Sequence, residues 1–447
     1  GNTPVSDSLL GIKYVLDKRE PSDELNKKGL VNSIYDYKYS CDFNGFDPEA
    51  NADKEQVVDV YENTGALAMG YMADTSIQNI AAFGNDNPFN SQNLFLSTVA
   101  GDTVIDLNDT SNPFKQYTEY FKPMNVNPDD FVLSNVTTEP YGNDQIKYVA
   151  EESGDPTVDM FITPDKDGDV YMYFKTEFQH AVNLWLSTEQ DENGQYVDFE
   201  YIKTYFENHD YHIINLGNFK AGQTFNLRMT VANEFTIVKN FFFYQLDEDA
   251  YTAAVTKLKE QQWNLTKAEG RRFEGTIEAR ENQIMMTSIP YEPGWSIKVD
   301  GKRVDNLVEE IEQPDGSVAL RNTAGETGQV IIADAMIGVR LLPGTHTVEM
   351  TYTPPGLNLG IFTLLAGIVI IVFIYKYDKK NNKVLIALRR QKRERALQPV
   401  KKPESDNVIE ASAEVKEALN EAVNNANTQA NTASNSKKQK KEQYHDG

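Results

Sequence analysis

Three carboxylates on alternate positions around a glycine, Asp165, Asp167 and Asp169 in the stretch DKDGD, form the sharpest chemical cluster in this chain. Oxygen donors at that spacing can fold around Ca²⁺. The EF-hand pattern is incomplete, however, because position twelve of such a loop is Thr176 rather than Glu. A hairpin turn of solvated acids is the competing reading. Trp185, in VNLWLST, is the second candidate. On a strand it lies opposite Val182, Leu184 and Leu186, where its ring could stack on a pyranose; a strand buried on both faces would instead place it in core. Trp295 shares a face with Ile297 and Val299 and reads as core. His346 lies on an apolar face and reads as a satisfied buried histidine rather than a ligand.

Other chemistries are excluded on residue types. Cys41 is the single cysteine, which removes disulfide frameworks, four-cysteine zinc sites and CxxC redox pairs. No HExxH, GxSxG, Walker A or GxGxxG motif is present. A nucleophilic Cys41 would need a histidine and an electropositive neighbourhood, and its surroundings are acidic. Paired carboxylates for glycoside hydrolysis cannot be singled out among so many acids. The sequence therefore names no catalytic residue.

These candidates need elements to position them. From Asp7 to about Tyr120 the reading is mixed. GIKYVL and VVDVYENT read as strands, and Asn87-Pro88 starts a helix that carries Leu94, Phe95, Thr98 and Val99 on one face. Between about Asp130 and Leu246 short strands dominate. FNLRMTV alternates cleanly, with Phe225, Leu227, Met229 and Val231 inward, and VYMYF, VNLWLST and YHIINLG are separated by turn-rich pieces. Residues 246–263 read as an amphipathic helix, acidic at its start and basic at its end. WSIKV then runs into Asp300-Gly301, a dipeptide that favours a primed hairpin turn, and THTVEMTYT alternates up to Pro354-Pro355. The expected fold is mainly β with an α+β amino-terminal segment. It comprises an α+β segment over 1–125, a β-sandwich-like domain over 126–246, a connecting helix over 247–272 and a membrane-proximal β-sandwich-like domain over 273–355. A transmembrane helix over 356–375 and a basic, mostly disordered tail over 376–447 complete it.

The span from Gly356 to Tyr375 is 20 residues without a charge. At about 1.5 Å per residue it reaches about 30 Å, the thickness of a bilayer's hydrocarbon core. Charge divides sharply around it. Residues 376–447 carry 16 Lys and Arg against 10 Asp and Glu, a net of +6, whereas residues 1–375 carry 27 against 57, a net of −30. By the positive-inside rule the tail is cytoplasmic and residues 1–355 are extracytoplasmic. The basic run after the span reflects topology and contact with anionic lipid, and the acidic outer part argues against nucleic acid. The chain opens GNTPVSDSLL, without a basic n-region or an apolar h-region. An outside domain needs an export element, so either a removed signal peptide or a preceding multi-span region is expected.

Five segments share one pattern. SDSLLGIKYVL (Ser6 to Leu16), VYENTGALAMGYM (Val60 to Met72), NPFNSQNLFL (Asn87 to Leu96), SIPYEPGWSIKVDGKRV (Ser288 to Val304) and LLPGTHTVEMTYTPPGLNLG (Leu341 to Gly360) together resemble the YfhO family of bacterial membrane proteins, in the family's order. The resemblance covers about residues 6–376. It implies a polytopic protein whose amino-terminal region holds many membrane helices in a C-type glycosyltransferase architecture, closed by a large outside portion and one final helix. It further implies a link to glycosylation of teichoic acids outside the membrane, with a lipid-phosphate-linked sugar donor. The catalytic acid of such enzymes lies in an early outside loop, which has no counterpart here, so no catalytic residue carries over and this chain alone is not expected to be catalytic.

The expected function is that of an extracytoplasmic carboxyl-terminal region that binds an acceptor or serves as scaffold. Its partners would be the membrane, the multi-span region of the same protein and a teichoic acid or other envelope glycan, held with or without Ca²⁺. A single-pass surface glycan-binding protein without catalysis is the alternative, and a structural spacer a third.

Overall fold

The computed structural model describes residues 3–19, 34–42, 57–80, 87–106, 108–109, 113–142, 145–176, 182–205, 213–231, 234–381 and 383–397. The chain divides into two compact units, residues 1–357 and 358–447. Strands dominate the first unit, and they build two sandwiches, antiparallel except where Asp305–Asn306 pairs in parallel with Gly328–Gln329.

In the first sandwich one sheet runs in the order Ile214–Phe219, Gly168–Thr176, Phe235–Leu246, Gln145–Ala150, Val136–Tyr141, with Phe121–Pro123 also paired to Phe235–Leu246. The facing sheet runs Glu200–Tyr205, Val182–Ser187, Phe225–Val231, Thr157–Ile162, Val132–Ser134. The alternation read from FNLRMTV is realised: Phe225, Leu227, Met229 and Val231 join Val158, Met160, Val182 and Leu184 in one core. Val170, Met172 and Phe174 meet them from the opposite sheet. Each such large side chain contributes about 1.5–3 kcal/mol by leaving water. The other face of that inner sheet carries Tyr171, Tyr173 and Tyr244, which are buried in a different core.

The second sandwich pairs a sheet ordered Asn264–Glu269, Arg272–Ala279, Gly344–Tyr352, Trp295–Val299, Lys302–Arg303 with one ordered Asp305–Asn306, Gly328–Ile332, Met336–Arg340, Gln283–Pro290, Gly70–Asp74. Asp300 and Gly301 take φ of 51° and 77°, the primed geometry that Asp-Gly favours, and Val299 pairs with Lys302 across the turn. One strand comes from far away in sequence. Gly70–Asp74, which lies in the segment expected to stand as a separate α+β region, pairs with Gln283–Thr287 as the sheet's edge. Its residues are apolar on both faces, so alternation could not assign it. Tyr71 and Ala73 face one core while Met72 faces the other.

Three helices fill the space between the sandwiches. Pro4–Leu9, Pro88–Ala100 and Glu248–Lys259 bury Val5, Leu9, Phe89, Leu96, Tyr251, Val255 and Leu258 against the outer faces of both. The helix start expected at Asn87-Pro88 is formed as read: the Asn87 side chain accepts from the Phe89 amide at 3.0 Å, and Gly101, at φ 77°, closes the other end. Asp247 caps the connecting helix, whose last turn holds Lys257 and Lys259.

In the second unit, helix Leu357–Asn381 contains a 23-residue apolar stretch, Leu357–Lys379, with mean hydropathy 2.7 and no residue buried by protein. Its length and apolar surface suit a lipid surround. A further helix, Lys383–Leu397, opens the tail. It has a local cause: KVLIALRRQKRERAL consists almost wholly of strong helix formers, with no Gly, and the next proline is Pro399. The sequence also suggests a transient helix from Val408 to Val423, where Val415, Leu419 and Val423 recur every four residues, and this stretch lies outside the described residues.

Candidate glycan-binding face

The outer face of the five-stranded sheet Glu200–Tyr205 to Val132–Ser134 brings together chemistry that is dispersed in sequence. Residues paired directly across antiparallel strands point to the same side. One such row crosses the sheet as Tyr201, Trp185, Arg228, Asp159 and Val132. Because Val182, Leu184 and Leu186 take the core face, Trp185 is turned outward and is only partly covered. Its ring meets Tyr201 edge-on, with centroids 5.1 Å apart at 66°. Tyr201 is 48% exposed.

Beside the rings stands a charged pair. Arg228 donates to both oxygens of Asp159, Nε at 2.6 Å and Nη2 at 2.9 Å, and its guanidinium lies 3.8 Å from the centre of the Phe199 ring. The planar fork is held from two sides, by a bidentate carboxylate and by a π face. On one side of the row the Tyr201 hydroxyl meets that of Thr204, which donates to Asn183 Oδ1 at 2.7 Å. Phe161, 43% exposed, lies on the other side against Tyr196. Aromatic faces flanked by hydroxyl, amide and charged hydrogen-bonding groups suit a ligand with apolar faces and polar edges, as a sugar ring has. Since Asp159 neutralises Arg228, the face carries no net charge from this pair.

The sequence singled out only Trp185 of this group. Arg228 and Asp159 each interrupt an apolar alternation, FNLRMTV and TVDMFI, on its outward phase, which is a legible signal. Their pairing, and the approach of Tyr201 and Phe199, depend on strand order and register.

The DKDGD carboxylates do not converge. Asp167 accepts from Lys220 Nζ at 2.8 Å and from the Ala221 amide at 2.9 Å. Asp169 is fully buried and accepts from the side-chain amides of Asn215 and Asn218, each at 2.9 Å. Asp165 is exposed. Asp167 lies in the bend before the strand Gly168–Thr176 and Asp169 on that strand, each with its own partners, and among the described residues no three of His, Cys, Asp or Glu are grouped as a metal would need. Lys220 and Ala221 hold the Asp167 carboxyl below the usual carboxylate range.

Trp295 is partly buried at the edge of the second core, with Tyr352 at 5.1 Å and Phe273 at 6.1 Å between ring centres. His346 has both ring nitrogens engaged, Nδ1 with Asp300 Oδ2 at 2.8 Å and Nε2 with the Leu342 carbonyl at 2.7 Å. Neither nitrogen is left for a metal. Cys41 is exposed, and its thiol contacts the Val58 carbonyl at 3.7 Å.

The His346 contact, joined by the Thr347 amide, holds the Asp300 carboxyl below its ordinary range. A depressed carboxylate stabilises the fold above its unfolded pKa, about 3.9, and loses that contribution as pH falls through the folded value. Asp300→Asn is therefore expected to lower the urea midpoint at about pH 5.5, by a difference that shrinks as the pH is lowered below the unfolded carboxylate value of about 3.9. A difference that persists unchanged at the lower pH would contradict this assignment.

Comparison with known proteins identifies the chain. The profile of the family described as "Bacterial membrane protein YfhO" matches residues 1–363. A Bacillus subtilis (strain 168) relative, "Uncharacterized protein YfhO", is 23% identical over 142 residues, which is 32% of this chain and 14% of that protein. Among solved structures, "Carbohydrate binding module family29" covers 29% of this chain and 89% of its own, at 17% identity and a TM-score of 0.20. "CBM29_1, A Family 29 Carbohydrate Binding Module from Piromyces equi" covers 30% and 84%, at 10% identity and the same TM-score, a level that carries no argument about fold or ligand. With four-fifths of its residues matched by the one profile, the chain belongs to the YfhO family of bacterial membrane proteins.

Proposed function

We propose that residues 1–355 are the extracytoplasmic part of a YfhO-type membrane glycosyltransferase and that they bind the glycan acceptor on the Trp185 face. Helix 357–381 anchors this part in the membrane, with the basic tail on the cytoplasmic side. The catalytic step would belong to a multi-span region of the same protein, while this region holds the acceptor near the bilayer. The observation that carries the reading is the row Tyr201–Trp185–Arg228–Asp159 on an open sheet face.

The internal neutralisation of Arg228 by Asp159 favours neutral sugar units over bare phosphodiester. Long-range repulsion from a net of −30 over residues 1–375 acts in the same direction. A teichoic acid would thus be held through its sugar substituents, with salt screening the remainder. Family membership favours this reading over a single-pass surface glycan binder, because the resemblance places a multi-span region in the same protein.

Titration calorimetry of the full chain in zwitterionic nanodiscs, against neutral wall oligosaccharides and purified teichoic acid, tests the proposal. Saturable binding is expected, weakened about tenfold by Trp185→Ala, the loss expected when an aromatic anchor is removed from a binding face. Calcium should leave it unchanged, since Asp165, Asp167 and Asp169 do not gather. Absence of saturable binding to every glycan, or equal affinity in Trp185→Ala, would remove the acceptor-binding role.

A further inference from the structure

A second site of different chemistry lies in the other sandwich. A cleft of about 580 Å³ opens between the turn Thr75–Asn79 and the hairpin strand Val318–Asn322, and Arg340 lines it. Arg340 ends the strand Met336–Arg340, and its guanidinium is half-buried and fixed from below. Nε donates to Gln78 Oε1 at 2.8 Å, and Nη1 donates to the carbonyls of Thr323 at 2.7 Å and Gly325 at 3.0 Å. Gln78 is itself held, its Nε2 donating to the Thr75 carbonyl at 3.1 Å.

All of these partners are neutral. Among the described residues no carboxylate lies within ion-pair distance of Arg340, and its Nη2 has no protein partner. The amide of Asn79 and the hydroxyl of Thr75 line the same cleft, also without protein partners among the described residues. Of the other charges there, Arg321 is bound by Glu309 through Nε at 2.8 Å, and Asp334 sits exposed at the rim. Partial burial pushes the Arg340 guanidinium below its ordinary pKa, which is the mark of a cation short of solvent and of counter-charge. With Nε and Nη1 engaged by neutral acceptors, the guanidinium keeps the two N–H groups of Nη2 for a ligand, and the ligand that suits a positively charged N–H donor short of counter-charge is an oxyanion.

We propose that this cleft binds an oxyanion, the phosphate or carboxylate of a hydroxylated ligand, with Arg340 Nη2 as the ionic contact and Asn79 and Thr75 as flanking hydrogen-bonding groups. The site is independent of sugar stacking at Trp185. Its size falls within the range of small-molecule pockets, so it accommodates more than an isolated ion. Gln78 acts as a positioning residue, fixing the plane of the guanidinium.

The full chain in zwitterionic nanodiscs would be titrated calorimetrically with glycerol 3-phosphate and, separately, with glucuronate. Saturable binding of at least one probe is expected, weakened at least about tenfold by Arg340→Gln and about threefold by Asn79→Ala, and unaffected by Trp185→Ala. Stronger binding of the phosphate assigns phosphate esters to the cleft, and stronger binding of glucuronate assigns acidic sugars. Asn79 is exposed, so Asn79→Ala should unfold with the parent's midpoint and report on the site even if Arg340→Gln is destabilised. No saturable binding of either probe, or affinity unchanged in both Arg340→Gln and Asn79→Ala, overturns the proposal. The Trp185→Ala control separates its failure from failure of the glycan face.

Discussion

Arg228→Ala should remove glycan binding and, at the same time, about 2–3 kcal/mol of stability, because it leaves the Asp159 carboxylate unpaired. The Asp159 side chain is 10% exposed and receives two charge-assisted hydrogen bonds from Arg228, whose own side chain is 31% exposed. Partial access to water places the cost below that of a fully buried broken pair, about 3–5 kcal/mol. The two losses can be told apart. Replacing both partners by apolar residues, Arg228→Met with Asp159→Leu, removes the unpaired charge and should bring stability back to within about 1 kcal/mol of the parent. Binding should stay lost, because neither the donor fork nor the carboxylate acceptor remains beside Trp185 and Tyr201. Urea unfolding and glycan titration on the three proteins check this. If the double variant binds like the parent, the charged pair is structural and the face is not read through it.

The largest effect on stability alone is expected at Trp263, which the sequence reading placed in the connecting helix and which lies between the helix Glu248–Lys259 and the strand Asn264–Glu269. Trp263 is 1% exposed in the core of the second sandwich, and its amide donates to the Gly70 carbonyl at 2.8 Å. Two glycines make room for it. A Cβ at Gly70 would lie 3.2 Å from the Trp263 ring, and one at Gly275 would lie 2.8 Å from its Nε1. Trp263→Ala therefore opens a cavity that the flanking strands cannot close, and a loss of about 3–5 kcal/mol is expected. Trp263→Phe should cost less than half as much, since it keeps most of the ring and removes an indole N–H that has no hydrogen-bond partner. Urea titration of both variants is the measurement. A loss below about 1 kcal/mol in Trp263→Ala would mean that the edge strand Gly70–Asp74 is held by its ladder rather than by the core beneath it.

Much of the local structure was legible because it depends on short-range rules. FNLRMTV, WSIKV and THTVEMTYT became strands where alternation placed them, Asp300-Gly301 became a primed turn, and Asn87-Pro88 started a helix. The apolar span was equally plain, since a long run without charge has few other solutions. His346 was satisfied as its apolar setting suggested, with partners that the sequence could not name.

The candidate sites were harder, and the difficulty was physical. Asp165, Asp167 and Asp169 are neighbours in sequence, yet Asp167 is taken by Lys220 in the bend before the strand while Asp169, on the strand, is taken by Asn215 and Asn218. Trp185, Arg228, Asp159 and Tyr201 are distant in sequence, yet one row of the sheet aligns them. Arg340 meets Gln78 across 262 positions. By itself the sequence determined the periodicities, turns, helix starts, apolar span and family, all of which are set by residues a few positions apart or by composition. Tertiary structure alone decided which strands became neighbours and in what register, because strand pairing is a long-range choice stabilised by the cores it buries, and that choice positions every side chain of both candidate sites.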